Sequence, residues 1–512
     1  MRLRRGVAWA AAAGLLGVGG IVASEHSSTG TRRTAVSTPT PVAVWETTGD
    51  QSRLLAQEPG ASFVSGGTPS VSSTPTKTAQ TCVLLWCWGG TATSASASAS
   101  ITVDNTQRFQ TMTGVGASIT DSSAYVLMHD MSAGQRAAVM TQEFDPTRGI
   151  GLDVLREPVG ANDFSTSNYT EDDLPAGQTD PTLSHFSIAH DLVNLIPAVR
   201  QAIAINPNIQ IVATPWTAPA WMKTSGSLDG GSLIPADLGI YANYLVKYIQ
   251  AYAAQGIRIA AVTMVNEPDD QQTSYPGMTM TESQEAALTP ILGHDLASAG
   301  LKTQILGFDS DWSDASYATS LLGTPDVAKY LAGTAFHCYA GDPSAQVPIE
   351  AAYPTKSINE TECSGTNAYP AFNTNLVVGT TSIISYIRDW SSTAVLWNVA
   401  LDENFGPTNG GCGNCVPNVS VNSTTGAATY NVEQYVLGQF SRFVKPGAVR
   451  VASTSLGSGS IETVAFQNPD ASNVLVAVNT DTTAETFTVG WSGRSFTYTI
   501  PAGAVQTFTW PG

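Results

Sequence analysis

Charge is scarce in this chain of 512 residues: 12% of them are charged, 23 basic against 41 acidic, for a formal net charge of −18. A surface so poor in cations repels polyphosphate, which excludes nucleic-acid binding, and it does not dock by charge on acidic lipid. Long apolar runs are missing after residue 23, so no later segment predicts a membrane span. Several catalytic signatures are missing as well. There is no H-E-x-x-H, no G-x-S-x-G elbow, and no G-x-G-x-x-G or Walker loop after a strand, and the six His are scattered. Zinc-hydrolase, serine-hydrolase and phosphate-loop chemistry are therefore poor fits, and neither metal nor cofactor is expected.

Cysteine is sparse too, at six residues: Cys82, Cys87, Cys338, Cys363, Cys412 and Cys415. The lone C-x-x-C at 412–415 lacks the second pair that zinc needs. An even number in an exported chain predicts disulfides. Short spacing suggests 82–87 and 412–415, which leaves 338 with 363. Export is predicted by the N-terminus, where Arg2, Arg4 and Arg5 precede the apolar stretch 7–23 and small residues at 22–24. Residues 1–24 thus read as a signal peptide of a secreted protein, with no stable span after cleavage. The alternative is an uncleaved anchor, but the stretch is rich in Ala and Gly and weakly apolar.

What is present is turn-rich and apolar, with 46 Gly, 28 Pro and 42% hydrophobic residues. Residues 25–41 form a Ser/Thr/Pro linker, 42–64 one or two strands, and 65–100 a low-complexity insertion broken by the apolar island 82–88. From 101 to 445 short apolar runs alternate with amphipathic stretches. Strands are expected at 111–117, 151–159, 209–216, 259–266, 303–308, 333–339, 356–363 and 393–401, with helices at 188–205, 236–254 and 282–299. Eight such units predict an α/β fold, the (β/α)8 TIM barrel, whose functional groups gather at the C-terminal strand ends. Residues 446–512 alternate apolar and polar positions in five further runs, the texture of a β-sandwich. That is small for a free-standing sandwich. Strands from 42–64 and 101–104 are expected to complete it, making it discontinuous and attached to the barrel.

The fourth barrel strand ends in Asn266-Glu267-Pro268, where Pro stops the strand and leaves a carboxyl at the mouth. The seventh reads Asn359-Glu360-Thr361-Glu362-Cys363, and glutamates two apart share one face of a strand. Two carboxyls from facing strands are what cleavage of a glycosidic bond requires, one protonated as acid and one ionised as nucleophile. Other strand ends supply Arg156, Asn162, Asp163, Trp216, Trp221, Lys223, His337, Tyr339, Trp397 and Asn398. Aromatic faces for stacking and polar groups for hydroxyls suit a sugar. A sugar-binding protein without catalysis would present the same lining.

These motifs resemble glycoside hydrolase family 30. Gly114-Val-Gly-Ala-Ser-Ile-Thr-Asp121, Leu155-Arg156-Glu-Pro-Val-Gly-Ala-Asn-Asp163 and Ala213-Thr-Pro-Trp216-Thr-Ala-Pro-Ala-Trp221-Met-Lys223 look like its first three strand signatures. Asn266-Glu267-Pro268, Phe336-His337-Cys-Tyr339, Thr361-Glu362-Cys363 and Trp397-Asn-Val-Ala-Leu401 follow the same family pattern. The resemblance implies Glu267 as acid/base and Glu362, rather than Glu360, as nucleophile of a retaining enzyme. It implies sugar contacts for Asp163, Trp216, Asn266, His337, Tyr339 and Trp397, with Arg156 beside the nucleophile. The implied substrates are glucosylceramide-like β-glucosides, or alternatively β-1,6-linked glucan. The Gly410–Cys415 segment and the 65–100 insertion depart from the pattern on the aglycone side. Oligomeric state leaves no mark in the sequence.

Overall fold

The computed structural model describes residues 39–65, 99–366 and 371–512. The expected signal peptide, nearly all of the linker and of the insertion, and Cys82 and Cys87 lie outside these residues.

Eight parallel strands run in chain order around a barrel: Gly114–Ser118, Val154–Val159, Gln210–Pro215, Ile259–Thr263, Gln304–Asp311, Leu331–His337, Ser357–Glu362 and Thr393–Leu396. The eighth lies beside the first in register, Thr393 opposite Gly114. The seventh and eighth meet through backbone bonds, among them Cys363 N–H to Val395 C=O at 3.0 Å and Trp397 N–H to Cys363 C=O at 2.8 Å. The first two strands approach closely, and there glycine is required. A Cβ at Gly116 would stand 1.8 Å from the Val154 carbonyl oxygen. Helices cover the outside, including Ala133–Phe144, Leu195–Ile205, Leu238–Ala254, Glu282–Ser298, Phe372–Arg388 and Val432–Ser441. Ala133–Phe144 and Glu282–Ser298 each begin with a reciprocal side-chain cap, Ser132 with Gln135 and Thr281 with Gln284.

Nine strands form the second sheet. Thr40–Thr47, Ala56–Ser65 and Ala99–Thr111 join six C-terminal strands from Val449–Ser453 to Val505–Trp510. Thr40–Thr47 pairs with both Ala56–Ser65 and Val505–Trp510, so the sheet closes on itself. Its own core includes Val44, Phe63, Ile101, Leu475, Phe487 and Phe508. The discontinuous β-sandwich is thus present.

Several expected boundaries shift. Residues 101–104 lie in the sandwich as expected, and the same strand, Ala99–Thr111, carries on through 105–111, expected in the barrel; Ile101 and Val103 turn into the sandwich core while Ser100 and Thr102 face outward. The helix expected from 188 begins at Leu195, the preceding residues being turns. The fourth strand stops at Thr263, so Glu267 stands beyond it. The eighth stops at Leu396, and Ala400–Asp402 instead pairs with Val419–Val421. Glu360 and Glu362 do not share a face. The ladder shifts register between them, and Glu360 accepts from the Val395 N–H at 2.8 Å.

Several acids are buried away from the barrel mouth, some of them placed there by alternation within a strand. Arg156 points to the mouth while Glu157 turns outward to Tyr248 on Leu238–Ala254. Burial pushes the carboxyls of Asp153, Glu157, Glu285 and Glu360 up to about 8. A carboxyl raised in the folded state keeps its proton where the unfolded chain has already released its own, so the unfolded chain gains as pH rises. Their contribution is full in acid and is lost as pH rises from about 4.5 to about 8. Each fully buried group removes about 1 kcal/mol per pH unit in that window. Thermal unfolding across a pH series should therefore show the melting temperature falling steadily from mildly acidic to mildly alkaline buffer. A flat or rising profile contradicts this reading.

Candidate active site

Arg156 anchors the barrel mouth. It is fully buried, and its guanidinium donates to Glu362 Oε2, to Asn266 Oδ1 at 2.7 Å and to Asp309 Oδ2 at 3.1 Å. The Arg156 guanidinium also lies 4.8 Å from the Trp216 ring centre and 5.6 Å from that of Trp397. One cation therefore fixes residues from the fourth, fifth and seventh strand ends. A charge buried so deeply persists only because two carboxylates pair with it.

His337, also fully buried, ends the sixth strand and bridges two acids: Nδ1 donates to Glu267 Oε1 at 3.2 Å, and Nε2 to Asp309 Oδ1 at 3.1 Å. Burial alone would lower this imidazole, but the Glu362 charge and the bonds to Asp309 and Glu267 push it up to about 10. At Glu267 burial acts upward too. The hydrogen bond and charge of His337 outweigh it and hold the carboxyl below its ordinary range. At Glu362 burial prevails and lifts the carboxyl, against the pull of the Arg156 and His337 charges. Tyr339 O–H donates to Glu362 Oε1 at 2.8 Å, and Asn266 Nδ2 to Glu267 Oε2 at 3.3 Å. Oxygens of Glu267 and Glu362 and a His337 nitrogen all lie within 4.8 Å of one another. Such a trio could hold a cation, but Arg156 already supplies the compensating charge.

The backbone is bent where these groups emerge. Glu267, Phe308, Asp309 and Asn398 take φ of 47°, 78°, 71° and 73°. Left-handed conformations in non-glycine residues cost energy and gather where placement matters. Glu267 is fixed there by its N–H donating to the Asp309 carbonyl at 3.0 Å.

An aromatic wall flanks the pair. Trp216 stacks on Trp397 with centroids 5.2 Å apart, and Phe164 meets Trp397 edge-on at 6.0 Å. Asp163 stands against it, with Oδ1 unpaired. Burial first, then the charges of Glu362 and Glu267, raises this carboxyl well above the usual range. Cys412 and Cys415 are bonded, with Cα atoms 5.7 Å apart, and pack on the same wall. Cys338 and Cys363 are bonded as well, at Cα 5.2 Å, tying the ends of the sixth and seventh strands.

All nine expected residues meet in this one site: Glu267, Glu362, Arg156, Asp163, Trp216, Asn266, His337, Tyr339 and Trp397. Trp221 and Lys223 do not. Trp221 Nε1 donates to the Asp172 carbonyl at 3.0 Å, and Lys223 Nζ braces its own loop through Thr217 Oγ1 at 2.7 Å and the Gly277 carbonyl at 2.8 Å. Sequence reasoning missed Asp309. It is fully buried, accepts from Arg156, His337, Thr263 and Thr361, and the Arg156 charge and His337 contact hold its carboxyl far below the usual range. The available signal was an apolar run ending in Gly307-Phe-Asp309-Ser-Asp311 at the fifth strand.

The family model of the glycosyl hydrolase family 30 TIM-barrel domain matches residues 112–444, and that of the family's beta sandwich domain residues 447–508. An endo-1,6-β-D-glucanase of Aspergillus fumigatus is 31% identical over 441 residues, covering 80% of this chain and 88% of the relative. The lysosomal acid glucosylceramidase of Mus musculus is 29% identical, covering 80% and 82%. Among solved structures, an endo-β1,6-glucanase superimposes with a TM-score of 0.78 at 29% identity, covering 92% of this chain and 100% of that one.

Proposed function

The chain belongs to glycosyl hydrolase family 30 and is a glycoside hydrolase, and from that premise we propose that it cleaves β-1,6-linked glucan with net retention. The observation that carries the mechanism is the approach of Glu267 and Glu362, with carboxylate oxygens within 4.8 Å. Retaining enzymes hold their two carboxyls about 5–5.5 Å apart, and inverting enzymes leave room for a water between them. Glu362 is the nucleophile in this reading. Arg156 and the Tyr339 hydroxyl neutralise its charge and aim it. Glu267 is the acid/base. It is the less covered of the two, with 22% of its side chain exposed beside His337. A bound sugar excludes water from Glu267, which raises its carboxyl toward the protonated form that an acid needs. Trp216, Trp397 and Asp163, with its unpaired Oδ1, would receive the sugar ring and its hydroxyls.

Support for glucan over glucosylceramide comes from the relatives: endo-1,6-β-glucanases stand among both the similar sequences and the similar solved structures. Action outside the cell belongs to the same proposal, since two disulfides suit an oxidising compartment. Among the described residues no helix is long and apolar enough to cross a membrane.

Purified protein should depolymerise β-1,6-glucan and first release the β-anomer in proton NMR, while glucosylceramide in mixed micelles is cut far more slowly. Initial α-anomer excludes retention. Efficient release of ceramide without glucan cleavage excludes the substrate assignment.

A further inference from the structure

A second cluster of ligand-type side chains lies outside the active site, in the long segment 160–194 between the second barrel strand and the helix Leu195–Ile205. Asp172, Asp180 and His185 each place a ligand atom within 4.8 Å of the others. Asp172 decides what this means. Its side chain is fully buried, yet neither carboxylate oxygen has a hydrogen-bond partner. Its backbone, by contrast, is satisfied: its N–H donates to Thr170 Oγ1 at 3.4 Å and its carbonyl accepts from Trp221 Nε1 at 3.0 Å. The segment is thus held firmly while presenting two unpaired acceptor atoms, a costly arrangement without a compensating charge.

Asp180 cannot compensate, being itself an acid. Its oxygens accept from Thr182, Ser184 and the His185 backbone and ring, Nδ1 at 2.9 Å. Nor does the neighbouring Asp173, which accepts from Thr170 N–H and Oγ1 at 2.8 and 2.7 Å. His185 is exposed and reaches the cluster from the solvent side, leaving an entry path. We propose that Asp172, Asp180 and His185 bind a divalent cation of the zinc class. Two carboxylates with one imidazole suit zinc better than calcium, which takes six or more oxygens. Three protein ligands and one solvent position complete a tetrahedron. The ion would clamp the segment that carries Asp163 at its start, and through Trp221 would couple it to the loop after the third strand. This site is independent of the substrate assignment.

The test uses the full chain, stripped with chelator, and zinc or cobalt ions alone. Calorimetry should show uptake of zinc, thermal unfolding should move upward on binding, and cobalt should give the visible absorption of a tetrahedral site. Asp172→Asn and His185→Ala should each weaken binding by about tenfold or more. His185 is exposed, so its variant tests the site even where Asp172→Asn impairs folding. No zinc uptake by the wild type would mean that a proton, not a cation, satisfies Asp172, and overturns the proposal. Uptake undiminished in His185→Ala also overturns it by placing the ion elsewhere, as at Glu267, His337 and Glu362. Calcium binding in place of zinc overturns the donor-set argument.

Discussion

Replacing Glu362 by Gln should lower turnover of every β-glucoside by on the order of 10⁴-fold or more, whatever the leaving group. The amide keeps the shape of the side chain but cannot form the glycosyl ester, so both half-reactions are lost. Arg156 keeps Asp309 as a partner in this variant, at 3.1 Å, which should preserve the fold. Circular dichroism and the melting temperature check that point. The measurement is kcat on activated and unactivated aryl glucosides. Loss confined to the poor leaving groups would show that Glu362 is not the nucleophile.

Glu267→Ala is expected to act unevenly. With an unactivated alcohol as leaving group the rate should fall about 10²–10⁴-fold, the usual worth of a positioned acid. A dinitrophenolate needs little protonation, so formation of the glycosyl-enzyme should survive. Its hydrolysis then lacks a base and becomes limiting. Azide, which needs no base, should restore turnover and yield a β-glucosyl azide. Equal damage to all leaving groups with no azide rescue removes Glu267 from this role. The His337 contact at 3.2 Å predicts a further detail. Without Glu267 the imidazole loses one of the acids that hold its proton.

Most of the site was legible because barrel topology turns strand ends into neighbours. Asn266-Glu267-Pro268 and Thr361-Glu362-Cys363 stand far apart in sequence, yet counting strands places them at one mouth. The Cys338–Cys363 bond was readable for the same reason, as adjacent strands hold Cα atoms within disulfide reach. Local irregularity was less accessible. Alternation alone puts Glu360 and Glu362 on one face, but the register shift between them separates the two. Asp309 was hidden by its bent backbone, since a polar residue inside Gly307-Phe-Asp309-Ser reads as the end of a strand that in fact continues to Asp311. The strand Ala99–Thr111 was partly masked by its own surroundings. Its start merges with a Ser/Ala repeat, and Asp104-Asn105-Thr106 resembles a turn.

The closure of the second sheet bears on how the protein is made. Thr40–Thr47 precedes the barrel in the chain and lies against Val505–Trp510, which follows it. The entire barrel is translated between these two strands. Until the last strand emerges, Thr40–Thr47 has a bare edge along one side, and hydrophobic residues such as Val44 and Phe63 have no completed core to enter. All eight barrel strands are therefore made before the strand that closes the second sheet, and that sheet is completed only once Val505–Trp510 has emerged.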